Sequence, residues 1–136
     1  MGEFPTPDVE VTHLFVVSDM EKARTFYRDV LGASVYREYG GSSCVLQFQG
    51  SWLLLVTGGE PTKDKPTVTF EPPSDPDRVS SELTFRVLDC RGAYETLRAR
   101  GATFLTPPVE YEWEVRAFFR DPDGHLLEIS EAVSTS

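Results

Sequence analysis

The chain contains no asparagine among its 136 residues, so it offers no N-glycosylation acceptor. It has only two histidines and two cysteines. Cys44 and Cys90 lack the paired spacing of a thiolate metal site, and a disulfide between them would need an oxidising compartment. No apolar run approaches the roughly 18 residues that suggest a membrane span. Nothing near the N-terminus has the order of regions found in a secretory signal, so the expected address is cytoplasmic. Positive charge is scarce too: 13 Lys and Arg stand against 22 Asp and Glu, a formal net charge of −9. Only Arg91, Arg98 and Arg100 lie close together among the cations. Nucleic acid and anionic membranes both demand basic patches, so neither is an expected partner. A nucleophile–base pair and a Gly-rich phosphate loop are also missing.

What remains is ordinary soluble composition, 40% hydrophobic and 26% charged, in a chain sized for one domain spanning residues 1–136. Residues 1–8 read as a leader. Val9–Val17 is rich in β-branched residues and predicts a strand. Ser18-Asp-Met-Glu21 has capping-box spacing, with Ser18 or Asp19 as the cap. Met20, Ala23, Phe26, Tyr27, Val30 and Leu31 then recur on one helical face, and Gly32 stops the helix. Strands are predicted at Ser34–Tyr39, Ser43–Gln49 and Trp52–Thr57, separated by Gly40-Gly41 and Gly50-Ser51. This is a βαβββ unit over 9–57.

Residues 58–80 break the pattern with Pro61, Pro66, Pro72, Pro73 and Pro76. They predict a linker or a lid, with Thr67–Phe70 as a short edge strand. Over 81–132 the unit repeats: a strand at Glu82–Leu88, a cap at Asp89, a helical stripe ending at Gly101, then strands at Thr103–Thr106, Val115–Arg120 and Leu126–Glu131. Val17-Ser-Asp19 and Ala23 recur seventy residues later as Val87-Leu-Asp89 and Ala93. Such repetition is an architectural signal, because neither unit alone covers the apolar face of its sheet.

The last two strands flank Asp121-Pro122-Asp123-Gly124, in which Pro122 presets a tight turn and Gly124 closes it. Alternation places Glu128 on one face with Leu126 and Ser130, and Leu127 with Ile129 on the other. A carboxylate there is solvated or held by a partner, because burying it alone is costly.

Phe118-Phe-Arg-Asp-Pro-Asp-Gly-His-Leu-Leu-Glu128 resembles the closing hairpin of the glyoxalase/bleomycin-resistance/extradiol-dioxygenase family, the vicinal oxygen chelate superfamily. Val17–Gly32 is similar to its opening helix, and Phe85–Asp89 to the start of its second module. The resemblance implies an α+β fold of two βαβββ modules whose curved mixed sheets enclose a cavity, commonly in a homodimer, with a small molecule as partner. It also implies a divalent metal (Mn, Fe, Ni, Zn or Mg) that chelates vicinal oxygens of the substrate.

Carried over by position, the family ligand after the turn glycine is Glu128, and seven residues before Asp89 stands Glu82 in place of a frequent His. The fourth-strand position of module one falls within Trp52–Val56, which contains no ligand. Seven before Asp19 is Thr12, whereas His13 is six before, and a one-residue slip reverses the face unless a bulge intervenes. His13, Glu82 and Glu128 would form a one-His, two-carboxylate metal set suited to Mn, Mg or Fe(II). Glu82 and Glu128 are the candidates to move a proton. Each has an alternative: His13 as a core histidine, Glu82 as a solvated residue at a strand start, His125 as a surface residue. Phe15, Trp52, Trp113 and Phe118 are candidates to line a pocket, against the alternative that they are strand core. Arg86 shares the face of Glu82, placed to receive an anionic substrate or to pair with Glu82 or Glu128. Cys90 falls in the first turn of a helix, where the macrodipole lowers a thiol pKa, or is simply a small half-buried residue.

Two functional readings follow. One is a metal-dependent lyase, isomerase or dioxygenase with a partial site, which His13 on the helix side would largely sink. The other is a metal-free protein that sequesters a small aromatic or cationic molecule, as bleomycin-resistance relatives do.

Overall fold

A computed structural model describes residues 2–133. Module one contains β1 (Thr12–Val17), α1 (Met20–Thr25), β2 (Ser34–Tyr39), β3 (Ser43–Phe48) and β4 (Ser51–Thr57). Module two contains β5 (Leu83–Arg86), α2 (Cys90–Ala99), β6 (Thr103–Phe104), β7 (Val109–Glu110), β8 (Glu114–Arg120) and β9 (Leu126–Ala132). The strands form a four-stranded sheet in the order β1-β4-β3-β2 and a five-stranded sheet in the order β5-β9-β8-β6, with β7 added on β8. Each sheet is mixed: β1 runs parallel to β4 and β5 parallel to β9, while hairpins supply the antiparallel pairs. This is the glyoxalase/bleomycin-resistance architecture, and neither sheet closes into a barrel.

The strand limits follow from their partners. β1 begins at Thr12 rather than Val9 because Thr12 pairs with Trp52, and β4 itself begins one residue earlier, at Ser51. Val11, just before the first registered pair, is 78% exposed. Asp19 caps α1 through Lys22 N (3.1 Å), and Ser18 instead donates both its N–H and its hydroxyl to Asp123 Oδ1 (2.9 and 2.6 Å). The first helix is not α-helical to its end. From Phe26 to Val30 it widens into a π-type turn, in which Leu31 N–H donates to Phe26 O at 3.1 Å. The extra residue in that turn lets neighbouring Phe26 and Tyr27 both bury. Gly32 then takes φ +93°, the left-handed stop that glycine adopts without strain.

The core consists of the helix-side faces of both sheets: Phe15, Val17, Leu46, Leu53 and Leu55 from module one, and Val115, Ala117, Phe119, Leu127 and Ile129 from module two. Tyr27 under α1 and Tyr94 and Leu97 under α2 cover them. Residues 58–80 carry only two isolated bridges, Gly59 with Phe70 and Thr62 with Lys65, so the short strand expected at Thr67–Phe70 is a single bridged residue. Arg120 fastens this segment to the last hairpin, donating to Pro76 O and pairing with Asp77 (2.8 Å).

Candidate functional site

The two residues that dominate the sequence reading meet on the open face of the second sheet. Thr84 and Glu128 are register partners on β5 and β9, and Phe118 is the partner of Glu128 on β8. Thr84 donates its hydroxyl toward Glu82 Oε1 at 2.9 Å and lies 3.4 Å from Glu128 Oε1. Glu128 is 7% exposed. Burial, reinforced by the neighbouring Glu82, pushes its carboxyl up to about 7. At neutral pH Glu128 is therefore about half protonated, and it can donate or accept a hydrogen bond as its protonation changes.

One step along the same face stands Ser130, flanked by register partners Arg86 on β5 and Arg116 on β8. Both guanidiniums turn to Glu114, at 4.0 Å for Arg86 and 3.1 Å for Arg116. Arg116 also lies over the rings of Tyr111 (4.6 Å) and Phe118 (5.5 Å). Among the described residues the buried Ser130 hydroxyl has no hydrogen-bond partner. Arg86 thus pairs with neither Glu82 nor Glu128, as the sequence reading had allowed, but with a glutamate two strands away.

His13 does not join this group. It stands on the side of β1 shared with Phe15 and Val17, both buried, and its ring is 4.4 Å from that of Phe15. Phe15 in turn packs on Tyr27 beneath the first helix (5.1 Å). The β1–β4 register is unbroken from Thr12 to Val17, so no bulge restores His13 to the open face. Burial, with the nearby His125, lowers its pKa. Among the described residues no three His, Cys, Asp or Glu side chains gather to hold a metal ion. Phe15 is likewise core rather than pocket lining, at 2% exposure. Trp52 does reach the open face of the first sheet, edge-on to Tyr36 at 5.1 Å. Trp113 sits at the turn into β8, 64% exposed.

The seventy-residue repeat, combined with register, identifies the counterparts exactly once each. Thr12 matches Glu82, and Leu14, the partner of Leu54, matches Thr84, the partner of Glu128. Module one therefore offers Thr12 and Leu54 where module two offers Glu82 and Glu128. Its open face is apolar along β1 and β4, with Leu14, Val16, Trp52 and Val56 beside Val45, and becomes polar toward β2 with Ser43, Gln47 and Arg37.

Sequence reasoning missed the groups that brace the hairpin. Asp121, 5% exposed, accepts from the Tyr27 hydroxyl (2.7 Å) and from the backbones of Asp123 and His125 (2.9 Å each). His125 is not a surface residue: its Nε2 lies 2.7 Å from Val16 O and its ring meets Phe15 edge-on at 5.0 Å. It also missed Glu114, Arg116 and Ser130. Pairing outward from the turn by period two, from Arg120 with Leu126, reaches Phe118 with Glu128 and then Arg116 with Ser130. Cys90 is buried in the first turn of α2, and burial raises its thiol pKa, against the lowering expected from the helix end.

Residues 10–129 match the family described as the Glyoxalase/Bleomycin resistance protein/Dioxygenase superfamily. The chain belongs to that superfamily. Among solved structures it is similar to a glyoxalase/bleomycin resistance protein/dioxygenase from Nocardioides, at 23% identity and TM-score 0.76, covering 96% of this chain and 87% of that one. It is similar to TnmS3, an antibiotic binding protein from Streptomyces sp. CB03234, at 22% identity and TM-score 0.68, covering 96% and 100%. Lactoylglutathione lyase from Agrobacterium tumefaciens matches at 16% identity and TM-score 0.65, covering 93% and 95%. Proteins with this fold thus include an antibiotic binding protein and a lactoylglutathione lyase, and the fold alone does not choose between such roles.

Proposed function

We propose that this protein binds a small, largely aromatic molecule without a resident metal, holding its body on the apolar face of module one and its polar end on Glu82, Thr84 and Glu128. The observation that carries the reading is the pair of substitutions at the repeat-related positions, Thr12 and Leu54. A tightly held Fe, Ni or Zn ion takes three or more anionic or imidazole ligands, and these positions supply a hydroxyl and an alkyl group beside the two carboxylates. The residues present do not fit such a metal. His13, on the opposite face, cannot replace what Thr12 lacks without reversing the whole strand.

The open faces are not closed within one chain, since Leu14 and Tyr36 remain 38% and 59% exposed. A second copy that sets its second-module face against this first-module face would enclose the site, which makes a homodimer the expected assembly. An antibiotic-binding relative supports a sequestering role. Among the described residues no helix is long and apolar enough to cross a membrane, and both cysteines are free, in keeping with a cytoplasmic address. The test is a thermal-shift screen of planar aromatic compounds on protein stripped with chelator. A binder raises Tm without added metal, and the gain shrinks in Leu54→Glu. Ligands that bind only after metal is restored would refute the reading.

A second reading rests on the raised pKa of Glu128. A carboxyl poised near neutrality beside a second carboxyl is suited to moving a proton on the bound molecule. If turnover of any bound compound is found, Glu128→Gln should lower kcat by about 100-fold or more while leaving binding within a few-fold. Unchanged kcat would remove this role.

A further inference from the structure

We propose that Arg86, Arg116 and Ser130 form an anion subsite on the open face of module two, so that the ligand carries a carboxylate or similar oxyanion at its polar end. This rests on the ligand-binding reading above and specifies its chemistry. β9 lies between β5 and β8, so the contact from Arg86 on β5 to Glu114 on β8 passes across β9 on the face that carries Ser130. Two guanidiniums from different strands therefore converge on one carboxylate next to a hydroxyl that has nothing to bond. A buried hydroxyl without a partner is costly, and few are tolerated in a fold. Its register neighbours are two guanidiniums, and the group that satisfies donors from all three is an oxyanion.

Glu114 is then an internal stand-in for the ligand. Its hold is weak: the Arg86 contact is 4.0 Å long, and the Arg86 side chain is 58% exposed. Ion pairs of that kind contribute little, so an incoming carboxylate competes on favourable terms. Arg116 is better fixed. Stacking against Tyr111 and Phe118 orients its planar donor edge, the geometry that recognises a carboxylate by two parallel hydrogen bonds. The carboxyls of Glu128, level with Thr84, and of Glu82, just before β5, lie further along the face, which directs the anion to the arginine end and the remaining polar groups to the glutamate end.

The experiment compares 2-naphthoate with neutral 2-naphthamide by isothermal titration on the metal-free protein. Both share an aromatic body, so the difference isolates the charge. Naphthoate should bind about 10-fold tighter or more, a preference worth about 1.4 kcal/mol. Arg86→Met, at an exposed position that leaves folding intact, should bring the two probes within about two-fold. Ser130→Ala should weaken naphthoate several-fold and leave naphthamide unchanged, while Glu114→Gln, which frees both arginines, should tighten naphthoate. Thermal melts accompany each variant. Equal binding of the probes, or naphthamide alone binding, would overturn the subsite and leave the ligand-binding reading standing. Failure of both probes to bind would overturn both. A loss of naphthoate affinity in Glu114→Gln would also overturn it, since the stand-in role requires a gain.

Discussion

The two modules share a backbone plan and differ in what they place on it. Strand pairing puts Leu14 beside Leu54 in one and Thr84 beside Glu128 in the other. The first face is apolar along β1 and β4 and has no carboxylate among these register positions; the second carries three glutamates, two arginines and a buried serine hydroxyl. Their hairpins differ as well. Module one turns through Gln49-Gly50, both at positive φ (48° and 81°), and touches module two through Phe48 against Phe85 at 5.1 Å. Module two turns through the longer Asp121–His125 segment, whose Asp121, Asp123 and His125 bond to Tyr27, Ser18 and Val16. Repetition therefore fixes where a side chain stands, and substitution decides what each face can do. In this chain the module-one positions carry a hydroxyl and an alkyl group, and the matching module-two positions carry two carboxylates.

The largest expected effect breaks the comparison at the hairpins. Asp121→Ala leaves a buried tyrosine hydroxyl and two backbone N–H groups without their acceptor, and should cost about 3 kcal/mol in urea unfolding. The matching change in the other turn, Gly50→Ala, introduces strain at φ +81° and should cost about 1 kcal/mol. Equal losses would mean that the two turns carry similar weight after all.

The next prediction sharpens the contrast between faces through pH. The Glu128 carboxyl rises from 4.5 to about 7 in the folded state, so folding takes up a proton between those values. Its contribution is most favourable below about pH 4.5, declines as pH rises toward 7, and stays unfavourable above, where the buried group is ionised. Glu128→Gln should therefore stabilise the protein at pH 8 by on the order of 2 kcal/mol, with a gain that shrinks toward pH 4.5. Leu54→Gln, at the matching position, should change stability by an amount that does not vary with pH. Chemical unfolding from pH 5 to 8 checks both, and a Glu128→Gln effect independent of pH would contradict the assignment.

The smallest effect belongs to Ser130. Replacing a hydroxyl that has no partner with a methyl group should leave the free protein as stable or more stable, by up to about 1 kcal/mol. A loss of more than about 1 kcal/mol would mean the hydroxyl is bonded in solution.

Most of the fold was legible in sequence because its signals are local. Pro122 and Gly124 mark the hairpin, Asp89 caps α2 as expected by accepting from Gly92 N (3.0 Å), and the Val17/Val87 and Asp19/Asp89 echoes expose the repeat. What was not legible depended on tertiary contact. Val9 and Glu10 have strand-adjacent positions in the sequence pattern, yet β4 begins at Ser51, too late to pair with them. Val109–Glu110 is too short for its period to be read between Pro107-Pro108 and the turn at Trp113. The π-type turn at Phe26 answers to Tyr27 reaching Asp121, a contact across 94 residues. In the site, Glu82 and Glu128 were found by counting from caps and turns, and the same count named Thr12. His13 drew attention through its chemistry, although the strand turns it inward.

The most direct test of the central claim is a calorimetric titration of chelator-stripped protein with Mn, Fe(II), Ni and Zn, beside a Glu128→Ala control. The account predicts no stoichiometric site that depends on Glu128, because Thr12 and Leu54 leave the two carboxylates without a third ligand. Near-stoichiometric binding of one of these metals that disappears in the control would contradict it, and would return the protein to the metal-dependent members of its superfamily.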